Sequence, residues 1–219
     1  MPDDQKAEII NSIKLALRIA IILDNCPTKA GAWFKHKYLQ NGFKLFFGRH
    51  NLHALNKFRT VLTEICQGYD ESVVNISIID RRDSLMPHYQ FIDLSGVYAE
   101  TNIETKTISI GESFFRIGAM EKAYTLFHEF THLFGGTQDF ELTASLSQEN
   151  IHNFAQKNPE KALECAYCYE KFVATFFSRL DSKENSLVVD IKITEVNDPY
   201  GQIKTEEDDD IIFEVPGRS

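Results

Sequence analysis

The chain has 219 residues, a hydrophobic share of 43% and a formal net charge of −9. Its apolar content suffices for one filled core, and no run of 18 apolar residues exists to span a membrane. The acidic balance argues against a general nucleic-acid binder, which needs a basic surface to meet phosphate.

In chain order, residues 5–23 repeat apolar side chains at helical spacing (Ile9, Ile13, Ala16, Leu17, Ala20, Leu23), which predicts a buried helix. Part of this segment resembles a signal-peptide core. Lys14 and Arg18 interrupt it, however, Asp3, Asp4 and Glu8 precede it, and no clean small-residue cleavage site follows, so it reads as a helix of the mature chain. The run Phe43-Lys44-Leu45-Phe46-Phe47 is stopped by Gly48, and residues 52–66 predict a second helix with Leu55, Phe58, Leu62 and Ile65 on one face. Residues 73–79 are β-branched and predict a strand; 97–99 and 107–110 predict two more. Helices are expected again at 118–134, 142–154 and 160–179. Helices, a small sheet, then helices make an α+β chain.

Beyond residue 182 the character changes. Residues 183–219 hold ten acids and four bases, a net of −6, whereas 1–182 carry only −3. The chain divides into a nearly balanced body, 1–182, and an acidic tail, 183–219, that reads as a hairpin or as disordered. A strand is expected at 187–194 and a turn at 197–201. Four cysteines (Cys26, Cys66, Cys165, Cys168) are too few for a disulfide scaffold and point to a reducing compartment. Cys165 and Cys168 form an isolated C-x-x-C, for which core packing is the better reading than metal or redox chemistry.

The chemistry concentrates in His128-Glu129-Phe130-Thr131-His132, an H-E-x-x-H. Residues four apart share a helix face, so both imidazoles can meet one ion, and the adjacent Glu129 can reach a water bound to it. Leu126, Phe127, Phe130, Leu133 and Phe134 make this helix apolar almost all round. Two histidines and a glutamate enter such a helix only if paired or metal-bound. A catalytic zinc needs a third protein ligand. Position 138, where an extended motif has histidine, is Gln138. The alternatives are Glu149, Glu160 or Glu164 from later helices, or Asp139, brought round if Gly135-Gly136 ends the helix with a left-handed residue.

Gly136-Thr137-Gln138-Asp139 after the H-E-x-x-H resembles the G-T-x-D element of the aspzincins, the deuterolysin and peptidyl-lysine metalloendopeptidase family. Phe46-Phe47-Gly48, Val97-Tyr98-Ala99, the stretch 107–115 and Ala166-x-x-Tyr169-Glu170-x-Phe172 are similar to further segments of that family, so the resemblance runs over roughly 5–180. It implies a zincin-like, mostly helical fold with a small sheet. It also implies Zn²⁺ held by His128, His132 and Asp139, with Glu129 as general base, acting on a protein or peptide.

The departures are equally informative. The family's Y-G after G-T-x-D is replaced by Leu142-Thr143. That tyrosine supports the oxyanion in the family, so Tyr167 or Tyr169 is the candidate to replace it. Of the acidic pair that receives lysine after the scissile bond, Glu170 is retained and the aspartate is Tyr167, which implies a weaker preference for a basic residue. A family cysteine is Gly111 here, in keeping with a reducing compartment. The expected function is a zinc endopeptidase. The alternative is a zinc-binding pseudo-peptidase acting through protein interaction, as Leu142 would favour. The tail's acidic cluster resembles the glutamate-rich signals of type IV secreted bacterial effectors. That resemblance implies a chain working in the cytoplasm or in the cytosol of a target cell.

Overall fold

A 23-residue helix, α1 (Asp3–Asn25), opens the computed structural model, which describes residues 3–25, 37–71, 75–78, 98–140, 147–180, 204–205 and 211–212. Its apolar face (Ile9, Ile13, Ala16, Leu17, Ala20, Leu23) is fully buried, as its periodicity predicts. Among the described residues no helix is long and apolar enough to cross a membrane. The segment around Phe43 to Phe47 is itself helical, α2 (Lys37–Phe47), and Gly48 stops it at φ 69°, with its N–H donating to the Lys44 carbonyl. No side chain fits there, because a Cβ would lie 2.1 Å from the Ala155 carbonyl oxygen. α3 (Leu52–Glu71) follows, longer than its apolar stripe predicts.

Strand β1 (Asn75–Ile78) lies within the expected β-branched run, whose flanks fall outside the described residues. β2 (Ala99–Asn102) begins two residues later than expected, and β3 (Thr107–Ile110) coincides with its prediction. β3 runs parallel to β1 and antiparallel to β2. Two short tail strands, β4 (Lys204–Thr205) and β5 (Ile211–Ile212), extend the sheet beyond β1, giving the order β2-β3-β1-β5-β4. β2 is therefore one edge of the sheet and the tail forms the other. The strand expected at 187–194 and the turn at 197–201 lie outside the described residues.

After a 3-10 turn (Glu112–Arg116) comes the central helix, α4 (Ala119–Leu133). Gly118 precedes it, and Glu121 accepts the Gly118 N–H at 2.9 Å, closing the first turn. α4 packs against α1, α3 and β2, and against the last helix. Lys122, which is 4% exposed, is paired with Glu8 of α1. α5 (Gln148–Lys157) starts on the Ser147 side chain, which accepts from the Asn150 N–H; residues 141–146 lie outside the described set.

The single helix expected over 160–179 is two, α6 (Pro159–Ala162) and α7 (Ala166–Leu180). The cause is tertiary. At the break the Gln138 N–H donates to the Glu164 carbonyl (2.8 Å) and the Ala166 N–H donates to the Gln138 carbonyl (3.2 Å). The backbone groups that would continue a helix bind a loop instead. Beyond the break, Tyr169 and Phe172 of α7 mesh with Phe43, Phe47 and Phe58 at centroid separations of 5.1–5.6 Å. Such aromatic pairs add about 0.5–1.5 kcal/mol each beyond area burial. Cys165 and Cys168 are free, fully buried thiols in this core, as core packing predicts. The architecture is the expected α+β one, mostly helical with a small sheet.

Candidate metal centre and active site

α4 carries His128, Glu129 and His132 on its last two turns. It ends at Phe134, and Gly136 takes the left-handed conformation at φ 63°. Gly135 has to be glycine for a different reason: a Cβ there would lie 2.6 Å from Val61 Cγ1 and 2.9 Å from the Thr131 carbonyl oxygen. The reversal is sealed by the Thr137 N–H donating to the Thr131 carbonyl (3.1 Å) and by a 2.7 Å contact between the two threonine hydroxyls. The Gln138 pairing with the break before α7 then fixes the chain where Asp139 leaves it.

Three side chains converge. His128 Nε2 is 3.1 Å from His132 Nε2 and 3.3 Å from Asp139 Oδ1, and His132 Nε2 is 3.5 Å from Asp139 Oδ2. One ligand atom from each of the three lies within 4.8 Å of the other two, close to the spacing of about 3.3–3.6 Å between ligands that stand about 2.0–2.2 Å from a tetrahedral zinc. The donor set, two imidazoles and a carboxylate, is also one that zinc accepts. Among the described residues this is the group of histidine, cysteine and acidic side chains able to hold a metal ion.

Two of the alternative third ligands are engaged elsewhere, and the other faces solvent. Glu160 binds Arg49 at 2.6 Å, Glu164 is paired with Lys57, and Glu149 is exposed in the first turn of α5.

Electrostatics accord with a site built for a cation. Burial works against a charged His128, yet Asp139 and Glu170 outweigh it and raise its pKa to about 10. Burial also opposes ionisation of Asp139, but the two histidines hold its carboxyl well below the usual range. Burial raises the pKa of Glu129 against the pull of His128. The His132 Nδ1–H donates to the Thr137 carbonyl at 2.9 Å, which leaves Nε2 as the coordinating nitrogen.

Two neighbours of this site carry no local sequence signal. Thr101 on edge strand β2 donates its hydroxyl to Glu129 Oε2 at 2.7 Å, and Lys171 donates to Glu170 Oε1 at 2.6 Å. Thr137 lies within the quoted G-T-x-D, but its grip on His132 emerges only from the loop geometry.

Tyr167 and Glu170 share one face of α7, and both address His128. The Tyr167 ring centroid is 4.6 Å from that of the imidazole, and Glu170 Oε2 is 3.1 Å from Nδ1. Burial, followed by the nearby carboxylates, pushes the Tyr167 hydroxyl pKa well up, so it stays a protonated donor. Tyr169 requires a correction. It is fully buried, stacks on Phe58, and donates its hydroxyl to the Leu163 carbonyl at 3.0 Å, so it is a core residue and not an oxyanion donor. Between α4 and α7 a groove of about 740 Å³ leads from Glu129 and His128 past Tyr98, Tyr124, Tyr167 and Glu170.

The sequence profile described as lysine-specific metallo-endopeptidase, the aspzincins, matches residues 33–174, more than half of the chain. The chain belongs to the aspzincin family. A zinc peptidase from Grifola frondosa has the same fold, with a TM-score of 0.61 over 81% of this chain and 99% of that one, at 16% identity. No curated protein matches. As an aspzincin the chain is a zinc metallopeptidase, and His128, His132 and Asp139 form the group that fits the family's metal.

Proposed function

We propose that this aspzincin is an endopeptidase in which Glu129 is the general base. The observation that carries the reading is the meeting of two histidines and Asp139 at zinc-ligand separations, beside a buried carboxylate that opens on the groove. The zinc would supply a Lewis acid that activates water and polarises the scissile carbonyl. Thr101 anchors one oxygen of Glu129, so the proton is taken and returned at the other. Burial raises the affinity of Glu129 for that proton, as suits a base near neutral pH. Tyr167, whose ring lies against His128, stands in for the tyrosine that Leu142 displaces. With Glu170 and Lys171 offsetting each other, Glu121 leaves the groove wall slightly negative, which supports a modest preference for a basic residue after the cleaved bond.

A peptide-library digest with zinc-loaded wild type and Glu129→Ala tests this reading. Cleavage is expected to fall by on the order of 10²–10⁴-fold in the variant, as is typical for losing a general base, while bound zinc is retained. Equal cleavage by both proteins would reject the mechanism. A wild type that binds zinc and cleaves nothing would favour the pseudo-peptidase. The charge asymmetry of the tail supports a further proposal about location, delivery as a secreted effector. Removing residues 204–219 is expected to abolish delivery, and normal export of the truncated chain overturns that proposal.

A further inference from the structure

His132 and His128 present Nε2 to the same point, and each needs its Nδ1 proton received elsewhere. For His132 the acceptor is the Thr137 carbonyl. For His128 the nitrogen is shut off from solvent, and Glu170 Oε2 stands 3.1 Å away, at ion-pair distance but off the hydrogen-bond axis. The other oxygen of the same carboxylate is held by Lys171. Tyr167, one turn earlier on α7, lies against the imidazole. The helix thus grips the first zinc ligand by ring contact and by charge.

We propose that Glu170 is a positioning residue for the metal. It accepts the His128 Nδ1 proton, fixes Nε2 as the coordinating atom and makes the imidazole a stronger ligand. The proposal rests on the metallopeptidase reading and deepens it by reassigning Glu170, which the resemblance marks as a receptor for the substrate's basic side chain. That side chain would meet a carboxylate whose two oxygens are both committed within the protein, and Lys171 beside it. A carboxylate is a stronger acceptor than a carbonyl, and outer partners of metal-bound histidines are worth about 10–100-fold in metal affinity.

Zinc affinity, measured by competition against a chromophoric chelator with wild type, Glu170→Ala and Glu170→Gln, needs no catalysis and decides the matter. Glu170→Ala should bind zinc about 10–100-fold more weakly. Glu170→Gln, whose amide oxygen can accept the same proton but carries no charge, should recover most of that loss. In digests at saturating zinc, the ratio of cleavage before lysine to cleavage before alanine should be the same in all three proteins. Wild-type zinc affinity in Glu170→Ala, or a lysine preference lost in Glu170→Gln at unchanged zinc affinity, overturns the proposal. Should Glu170→Ala not fold, the imidazole N–H resonance of His128 in the zinc-loaded protein settles it. That resonance is expected to be protected from exchange and shifted in Glu170→Gln, and an unshifted resonance overturns the assignment. A wild type that cleaves nothing sinks the peptidase reading and leaves the zinc titration standing.

Discussion

At the scale of single residues, the metal centre is a competition between protons and zinc. Burial works against a proton on His128, but without zinc Asp139 and Glu170 outweigh it and raise the pKa to about 10. Its raised pKa adds stability that is fully present below about pH 6.5, the unfolded value, and is lost as pH rises through about 10. Asp139 is depressed, so its contribution is present above about pH 3.8 and is lost as pH falls through its lower folded value. Zinc must displace protons held on the histidines, so its apparent affinity should rise with pH over the range where they are protonated. The melting-temperature gap between zinc-loaded and zinc-free protein should therefore widen from pH 6.5 to 9. A gap that is flat or narrows over that range shows that Asp139 and Glu170 do not hold a proton on His128. Asp139→Ala should lose most of its zinc affinity and shrink the gap at every pH. Zinc binding undiminished in that variant would reject Asp139 as the third ligand.

At the scale of elements, the motif helix and its pair of candidate ligands were legible because their spacing is local: a helix brings His128 and His132 together whatever surrounds it. Asp139 was legible only through the turn that Gly135-Gly136 permits and through the family resemblance. The helix break at 163–165 was not legible, since its cause is Gln138, more than twenty residues away. Tyr169 was misread for a related reason. Tyr167 and Tyr169 are two positions apart on α7 and so point to different sides, one to the metal and one to the core. Thr101 reaches Glu129 from a strand that no local pattern ties to the helix. The turn can be tested on its own. In Gly135→Ala the new methyl meets Val61 and the Thr131 carbonyl. Overpacking of that kind costs about 1–3 kcal/mol, or several degrees of melting temperature at about 2–4 °C per kcal/mol. Because the turn delivers Asp139, zinc affinity should fall with it. A Gly135→Ala variant with wild-type melting temperature and zinc affinity shows that the turn has slack the packing does not suggest.

At the scale of the whole molecule, the two described tail strands and Thr101, which holds Glu129, lie at opposite sides of one sheet. β2, which supplies Thr101 to Glu129, is one edge; β5 and β4 are added beside β1 and form the other. The described part of the tail, whose residues 183–219 carry a net −6, meets the sheet by backbone pairing to β1, two strands away from β2. Removing residues 204–219 should leave zinc affinity and peptide cleavage within about twofold of the full chain, because distant sites with no shared partners act nearly independently. The same cut uncovers the edge of β1, and an unpaired edge invites pairing with another chain. It also removes much of the repulsion that keeps acidic proteins apart. The truncated protein should therefore self-associate at concentrations where the full chain does not, as read by light scattering or sedimentation. Loss of cleavage at intact zinc affinity would mean instead that the tail reaches the groove and takes part in substrate binding. In that case the two edges of the sheet are coupled, and the charge asymmetry belongs to the chemistry as well as to the location of the enzyme.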